Sequence, residues 1–175
     1  YDNEDSIKTL RRIIDDRKLD KDIYNPKFIF SKISILKNQL IDSTKYLEKT
    51  ELIQNDEINK QGDFKYIYQQ YSIICQKSNS MDFDDLLVKT HQLFKNNPET
   101  LELYQSMFEY ILIDEYQDTN KVQDAIVKQL ANKHQNICIV GDDSQSIYSF
   151  RGANINNMLK FKHYFEKVKE FKLEQ

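Results

Sequence analysis

The residues of this chain best suited to chemistry are two acids that directly follow a short apolar run. Residues 110–113 are continuously apolar, and the run stops at Asp114 and Glu115. Such a run is typical of a buried strand, and ligands of open α/β sheets collect at the carboxyl ends of strands. There, one carboxylate can hold Mg²⁺ through its waters while its neighbour orients or deprotonates an attacking water. The pair alone is weak evidence of catalysis, because many strands end in acids where they emerge into solvent.

A second apolar run has the same arrangement. Residues 137–140 end at Gly141, two acids follow, and an amphipathic stretch over 119–132 separates the two runs. This order predicts two buried parallel strands joined by a helix, with a third strand near 168–173.

Both acidic ends continue into longer segments that resemble known motifs. Residues 114–120 read DEYQDTN, and residues 140–153 read VGDDSQSIYSFRGA. They resemble the second and third motifs of the UvrD/Rep/PcrA branch of superfamily 1 helicases, in order and at a spacing that suits one intervening helix. Residues 81–87, MDFDDLL, resemble a further segment of that family, and residues 173–175 look like the start of its next motif.

The resemblance implies an ATPase site that uses Mg²⁺ and ATP. Asp114 would organise the Mg²⁺ ion, and Glu115 would be the catalytic base. Gln145 would reach the γ-phosphate and report its presence to the DNA side. A neutral amide suits that role, because it can bond to phosphate or water without burying a charge.

The resemblance also implies a site for single-stranded DNA. Tyr148 and Phe150 would stack on bases, each contact contributing about 1–3 kcal/mol for any base. Arg151 would add a positive contact near the strand or the nucleotide. Two positions differ from the residues usual in the family. Family members often have Trp at the position of Phe150 and usually have Asp at the position of Ser144.

Several of these residues have structural interpretations that stay open. Tyr148 and Phe150 could be core aromatics, and Asp118 and Thr119 could cap the following helix. A cluster of basic residues near the start could be a solvated helix face or a contact surface for duplex DNA. Its members are Lys8, Arg11, Arg12, Arg17 and Lys18.

The elements that must position these residues predict an α/β fold in two parts. Helical periodicity dominates residues 1–100, which are similar to the family's helical 1B subdomain. Residues 101–175 would form part of a RecA-like P-loop ATPase domain, a parallel sheet with flanking helices. Within the helical part, the weakly periodic residues 42–62 predict a short helix and a mobile loop. Asp82 is expected to cap the helix that follows it.

Composition fits a globular protein but does not identify a ligand. Of 175 residues, 39% are hydrophobic and 30% charged, and the net charge of −3 neither favours nor excludes nucleic acid. Cys75 and Cys138 lie in apolar patterns, which predicts buried free thiols and a cytoplasmic location. No apolar run approaches the length of a membrane span.

One half of an ATPase site is absent from the sequence. No GxxxxGK[ST] loop occurs in the chain, so we expect it to be an internal fragment that is inactive alone. The resemblance implies that the complete protein is an ATP-dependent 3′–5′ helicase on single-stranded DNA and single-strand/duplex junctions, with repair or replication proteins as candidate partners. The alternative is a non-catalytic module that binds DNA or protein and retains the helicase fold.

Overall fold

The computed structural model describes residues 1–145, 153–165 and 168–172. The chain divides into two compact units, Tyr1–Thr90 and His91–Gln175. The helices are α1 (Asn3–Asp16), α2 (Pro26–Asn38), α3 (Ser43–Leu47), α4 (Thr50–Ile58), α5 (Phe64–Lys77), α6 (Phe83–Asn96), α7 (Pro98–Met107), α8 (Lys121–Ala131) and α9 (Asn156–Leu159), and the strands are β1 (Ile111–Ile113) and β2 (Ile137–Ile139). Short 3₁₀ turns lie at Tyr116–Asp118, Asp143–Gln145 and Phe161–His163. The predicted α/β class, mostly helical with parallel strands, is confirmed.

The first unit is helical around one apolar core. Helix α1 packs on α2 and α5, and α3 packs on α5. Helix α2 begins where the sequence predicts, with Pro26 as its first residue. The side chain of the preceding Asn25 caps the helix by accepting hydrogen bonds from the Lys27 and Phe28 N–H groups. The buried core residues are Leu10, Ile13, Ile14, Tyr24, Ile29, Ile33, Leu36, Tyr46, Phe64, Ile67, Tyr68, Tyr71 and Cys75.

Residues 42–62 differ from the prediction of one short helix and a mobile loop. They form α3 and α4 instead. The Asp42 side chain caps α3, and its fully buried Tyr46 packs edge-on against Phe64 at 5.2 Å. The Tyr46 hydroxyl donates to Asp56, which is also bonded to Lys32. Polar residues here form buried contacts, and this is why the weak apolar periodicity was misleading.

A buried ionic cluster holds the start of α6. Lys37 Nζ lies 2.6 Å from Asp82 Oδ2 and 2.7 Å from Asp85 Oδ1. The Tyr71 hydroxyl also donates to Asp82 Oδ2, at 2.8 Å, and accepts from the Ser6 hydroxyl, at 2.9 Å. Asp82 accepts from the Asp85 N–H and its own N–H donates to Asp85 Oδ2, so the predicted cap of α6 is confirmed as a reciprocal capping box.

The second unit contains the predicted strand–helix–strand arrangement. Strands β1 and β2 are parallel, with Leu112 opposite Cys138, and α8 connects them. Helix α8 is capped by Asn120, whose side chain accepts from the Gln123 N–H while the Gln123 side chain accepts from the Asn120 N–H. The suggested capping by Asp118 and Thr119 was therefore wrong; Thr119 Oγ1 donates instead to the Tyr116 carbonyl.

The two strands are not buried on both faces as predicted. Leu112 is 77% exposed, and Cys138 is exposed as well, so only Cys75 is a buried thiol. Leu112 and Cys138 point to the same side of the sheet, because they lie directly opposite each other in two strands whose side chains alternate in step. The third predicted strand is also wrong for residues 168–172, which form no strand, and Phe171 within them is 82% exposed. Leu173 lies outside the described residues.

Across the described ranges, no helix has the length and apolar character needed to cross a membrane. The assignment of the two parts to a 1B-type subdomain over 1–100 and a partial 1A ATPase domain over 101–175 stays a prediction. Along the chain, the boundary between the two compact units falls within α6, after Thr90.

Candidate active site

The candidate site lies where β1 and β2 end. The parallel pairing continues one step beyond each strand, because the Val140 N–H donates to the Ile113 carbonyl at 2.8 Å and the Tyr116 N–H donates to the Val140 carbonyl at 2.9 Å. These bonds bring the loop that carries Asp114 and Glu115 beside the loop that begins at Gly141. The expected meeting of two acidic strand ends at one edge of the sheet is therefore present.

The chain turns sharply at the acid pair. Glu115 has φ 51° and ψ 42°, in the left-handed region that non-glycine residues seldom occupy. Its N–H donates to Asp114 Oδ1 at 2.9 Å, and both acids are exposed. Such a conformation costs about 1–3 kcal/mol and concentrates at functional sites, where surrounding contacts hold it in place. Here the contacts come from the Tyr116 N–H and from Gln117.

Gln117 joins the two loops through its side-chain amide. Its Nε2 donates to Glu115 Oε2 at 2.6 Å, and its Oε1 accepts from the Asp142 N–H at 3.1 Å. The residue is fully buried. The amide therefore connects the acid pair that follows β1 with the first residues that follow β2.

Gly141 is required by this packing. A Cβ atom at this position would lie 2.6 Å from Gln117 Oε1 and 2.7 Å from Met158 Sδ. Both atoms lie toward the ends of flexible side chains, but the Gln117 amide is held by two hydrogen bonds in a buried position. A side chain at residue 141 must therefore displace the link between the loops.

Gly141→Ala is expected to lower the free energy of unfolding by about 1–3 kcal/mol, the usual effect of overpacking a close contact. Urea unfolding followed by tyrosine fluorescence measures this change. Gly62→Ala is the matched control, since its Cβ would meet only Glu57 Cγ at 3.5 Å, an ordinary contact. Equal stability of the two variants would contradict the packing.

Asp142 organises the second loop. It accepts from the Ser144 hydroxyl, from the Gln145 Nε2 at 2.7 Å and from the Ser144 N–H at 2.9 Å. These bonds, led by that of the Ser144 hydroxyl, hold the pKa of Asp142 below its usual value. Gln145 itself is exposed. A continuous series of contacts thus runs from Glu115 through Gln117 and Asp142 to Gln145.

The predicted DNA-stacking residues Tyr148 and Phe150, and the predicted contact Arg151, lie outside the described residues. The described residues continue from Ala153, which forms an antiparallel bridge with Asn120. The Asn157 side chain, which is buried, donates to the Thr119 carbonyl at 3.0 Å and to the Asn120 carbonyl at 3.2 Å. Residues that follow the third motif are thus fixed to the end of the second.

The acid pair has the chemistry of a Mg²⁺ site with few protein ligands. Hard oxygen donors suit Mg²⁺, which keeps several waters and takes one or two carboxylates. In the parts of the chain that the structure describes, no group of three or more histidine, cysteine or acidic side chains could form a closed metal cage. The arrangement fits an ion held by a single carboxylate such as Asp114.

Comparison with known families extends over nearly the whole chain. The UvrD/REP helicase N-terminal domain family matches residues 1–166. The chain belongs to the UvrD/REP helicase family. The resemblance inferred from the motifs at residues 114–120 and 140–153 is confirmed.

Individual relatives align with nearly the whole of this chain. The chain is 38% identical over 174 residues, 99% of its length, to the ATP-dependent DNA helicase PcrA of Bacillus subtilis, and 40% identical over 174 residues to that of Staphylococcus epidermidis. It is 41% identical over 174 residues to the probable DNA helicase II homolog of Rickettsia felis. The alignments span 23% of the two PcrA proteins and 26% of the Rickettsia protein, so the chain corresponds to about a quarter of these relatives.

Sequence reasoning identified the acids and Gln145 but assigned no role to Gln117. The residue stands between polar neighbours in DEYQDTN, where an exposed amide is the ordinary expectation. The available signal was its place two residues after Glu115, close enough for a side-chain bond within the turn. Burial and the bond to Asp142 depend on packing and could not be read from that spacing.

Proposed function

We propose that the complete protein containing this chain is an ATP-dependent helicase that moves 3′ to 5′ along single-stranded DNA. The observation that carries the proposal is the series of contacts from Glu115 through Gln117 and Asp142 to Gln145. It joins a candidate water-activating acid to a candidate phosphate sensor across two parallel strands. The names of the relatives, ATP-dependent DNA helicases, support the same activity.

Asp114 and Glu115 have separate roles in the proposed reaction. Asp114 would hold Mg²⁺, and the bound ion would supply positive charge to offset the charge that develops on the transferred phosphate. Glu115 would orient the attacking water and accept its proton. The bond from the Glu115 N–H restrains the Asp114 carboxylate, and the left-handed turn sets the direction in which the Glu115 side chain leaves the backbone.

Gln145 would couple the presence of the γ-phosphate to the binding of single-stranded DNA. It stands at the end of the 3₁₀ turn Asp143–Gln145, immediately before the segment that carries Tyr148, Phe150 and Arg151. A change in the contacts of Gln145 on loss of the γ-phosphate would displace one end of that segment, while Asn157 holds the residues beyond its other end. Stacking at Tyr148 and Phe150 would then tighten or relax with each turnover, which drives movement along a single strand.

The chain alone is proposed to be inactive. It contains no GxxxxGK[ST] loop to surround the β- and γ-phosphates, and no arginine finger is assigned to it. The exposed basic residues of α1 and of the turn that follows it are proposed to face duplex DNA at a junction. One of them, Arg17, also bonds to Asp63, with Nε 2.8 Å from Oδ1. Repair or replication proteins are proposed as partners of the complete protein.

DNA-stimulated ATP hydrolysis tests the proposal. The complete protein is expected to hydrolyse ATP faster with single-stranded DNA, while the 175-residue chain shows no turnover. Replacing both Tyr148 and Phe150 by Ala in the complete protein removes two stacking contacts, each of about 1–3 kcal/mol. Affinity for a single strand of mixed sequence, measured by fluorescence anisotropy at fixed salt, is expected to fall at least tenfold.

The matched control for the aromatic pair is Tyr104→Ala with Phe108→Ala. These two rings stack on each other at 6.1 Å in the second unit, outside the helicase motifs. DNA affinity unchanged by the Tyr148/Phe150 replacement, or lowered equally by the control, would contradict base stacking. Single-strand binding without DNA-stimulated hydrolysis by the complete protein would favour the non-catalytic module.

A further inference from the structure

Gln117 is a buried polar side chain to which the proposed reaction assigns no chemical step. Burying an amide costs about 1–3 kcal/mol unless its hydrogen bonds are made. Gln117 is fully buried, and both ends of its amide are bonded. Its neighbour Tyr116 is also fully buried, and its hydroxyl donates to Asp124 Oδ1 at 2.7 Å, so the backbone that carries Gln117 is anchored to α8.

The orientation of the amide follows from its partners. A backbone N–H can only donate, so the Asp142 N–H requires the carbonyl oxygen of Gln117 to face it. The NH₂ group must then face Glu115, whose ionised carboxylate can only accept. The lack of space for a Cβ at Gly141 restricts the amide further. The geometry thus selects one rotation of the Gln117 side chain.

This rotation fixes the Glu115 carboxylate. Gln117 Nε2 lies 2.6 Å from Glu115 Oε2, within the range of a strong charge-assisted hydrogen bond. A glutamate at an exposed turn otherwise samples many rotamers, and a base misplaced by about 1 Å can lose about 10²-fold in rate. With Oε2 engaged by Gln117, Oε1 is the oxygen left to face an attacking water.

The same amide couples the position of the Glu115 carboxylate to that of the loop after β2. The Asp142 N–H bonds to Gln117 Oε1, and the Asp142 carboxylate bonds to Gln145 Nε2. A displacement of the second loop therefore changes the position of the Gln117 amide and, through it, the Glu115 carboxylate. The base would be correctly placed only when the loop that carries Gln145 is in its own ordered arrangement.

We infer that Gln117 is a positioning residue that holds Glu115 in place for water activation and makes that position depend on the loop of Asp142 and Gln145. The inference rests on the proposed ATPase function and adds a residue to it. Gln117 itself touches neither nucleotide nor water in this role; it acts through Glu115.

The test is a comparison of Gln117→Met and Gln117→Glu in the complete protein. Met keeps the length of the side chain and removes both bonds. Glu keeps an oxygen for the Asp142 N–H and removes the donor to Glu115, so it decides the question if the Met variant does not fold. Each is expected to lower kcat for DNA-stimulated ATP hydrolysis by about 10- to 100-fold. With Met, which adds no charge, KM for ATP is expected to change less than about twofold, since substrate binding is not the step that needs Glu115.

A double-variant cycle separates positioning from a structural role. When Glu115→Gln already removes the base, adding Gln117→Met is expected to lower kcat no further, because residues that act as a unit are non-additive. Gln123→Met is the matched control: Gln123 makes a capping bond to the Asn120 N–H at 2.9 Å, so its loss is expected to lower the melting temperature and leave kcat unchanged.

Each outcome bears on one hypothesis. If Gln117→Met and Gln117→Glu keep kcat within about twofold, or if Gln117→Met lowers kcat equally with and without Glu115, Gln117 does not position the base. If Glu115→Gln itself leaves hydrolysis unchanged, the proposed function fails, independently of Gln117. Loss of activity with every Gln117 variant and none with Gln123→Met supports the inference.

Discussion

Glu115→Gln in the complete protein is expected to lower kcat for DNA-stimulated ATP hydrolysis by about 10²–10⁴-fold, the usual contribution of a general base. The substitution keeps the shape of the side chain and removes its ability to take a proton from water. An amide oxygen at residue 115 can still accept from Gln117 Nε2, so the turn after β1 is expected to persist. ATP and Mg²⁺ should still bind, since Asp114 is unchanged.

Single-turnover hydrolysis and nucleotide binding measure the two parts of this expectation. Glu109→Gln is the control, because Glu109 is an exposed glutamate that precedes β1, at the opposite end of the strand from Asp114 and Glu115. Retention of kcat in Glu115→Gln would remove Glu115 from the role of base. A parallel loss of ATP affinity would instead indicate that Glu115 binds the nucleotide or its ion.

Lys37→Met is expected to lower the stability of the helical unit by about 3–5 kcal/mol, the typical effect of removing one partner of a buried ion pair. The substitution leaves Asp82 and Asp85 without their cation. The loss is large because the side chains of Lys37 and Asp82 are only 6% and 3% exposed, so water cannot compensate the unpaired charge. Stability would be measured by urea unfolding with tyrosine fluorescence, since the chain has 11 Tyr and no Trp.

Two further variants define the cause of that loss. Lys27→Met changes an exposed lysine of the same helix and is expected to alter stability by less than about 0.5 kcal/mol. Adding Asp82→Asn to Lys37→Met removes an uncompensated charge and keeps a residue that caps α6 well, so part of the lost stability should return. If the double variant were less stable than Lys37→Met, the unpaired charge would not be the cause.

The pH dependence follows from the pKa shifts of the same cluster. Burial by itself would raise the pKa of Asp82, but the charge and hydrogen bond of Lys37, with bonds from the Asp85 N–H and the Tyr71 hydroxyl, outweigh it and lower that pKa. The stabilisation is therefore complete above the ordinary aspartate pKa of 3.8 and is lost as the pH falls below it. The stability difference between wild type and Lys37→Met should narrow at acid pH.

The pKa of Lys37 is shifted in the opposite direction to that of Asp82. Burial would lower its pKa, but the charges of Asp82 and Asp85 outweigh burial and raise it above 10.5. Its contribution is present below that value and is lost only as the pH rises through the raised pKa. The cluster should therefore stabilise the unit across the neutral range, and its acid limit comes from Asp82.

Local sequence was sufficient for the order of the strands and for the acids that end them. The apolar runs at 110–113 and 137–140 and the amphipathic stretch between them predicted β1, α8 and β2. Such signals work because strand and helix periodicities, and the polar residues that end them, are properties of neighbouring residues. The motif at residues 114–120 likewise identified the family before any contact was known.

Local sequence failed where a partner comes from elsewhere in the chain. Periodicity predicted that both strands are buried, but it cannot say whether another element covers Leu112 and Cys138, and both are exposed. The polar residues 42–62 looked mobile because nothing nearby indicates that Tyr46 and Asp56 are buried against other helices.

The sequence by itself indicated the candidate residues for Mg²⁺ binding, water activation and phosphate contact, because those abilities belong to side-chain types in a recognisable order. Tertiary structure alone decided that Gln117 is buried between Glu115 and Asp142, and that Lys37 is enclosed by Asp82 and Asp85. The physical reason is that a polar group's partners and its exclusion from water depend on how separate segments pack, which no local pattern encodes.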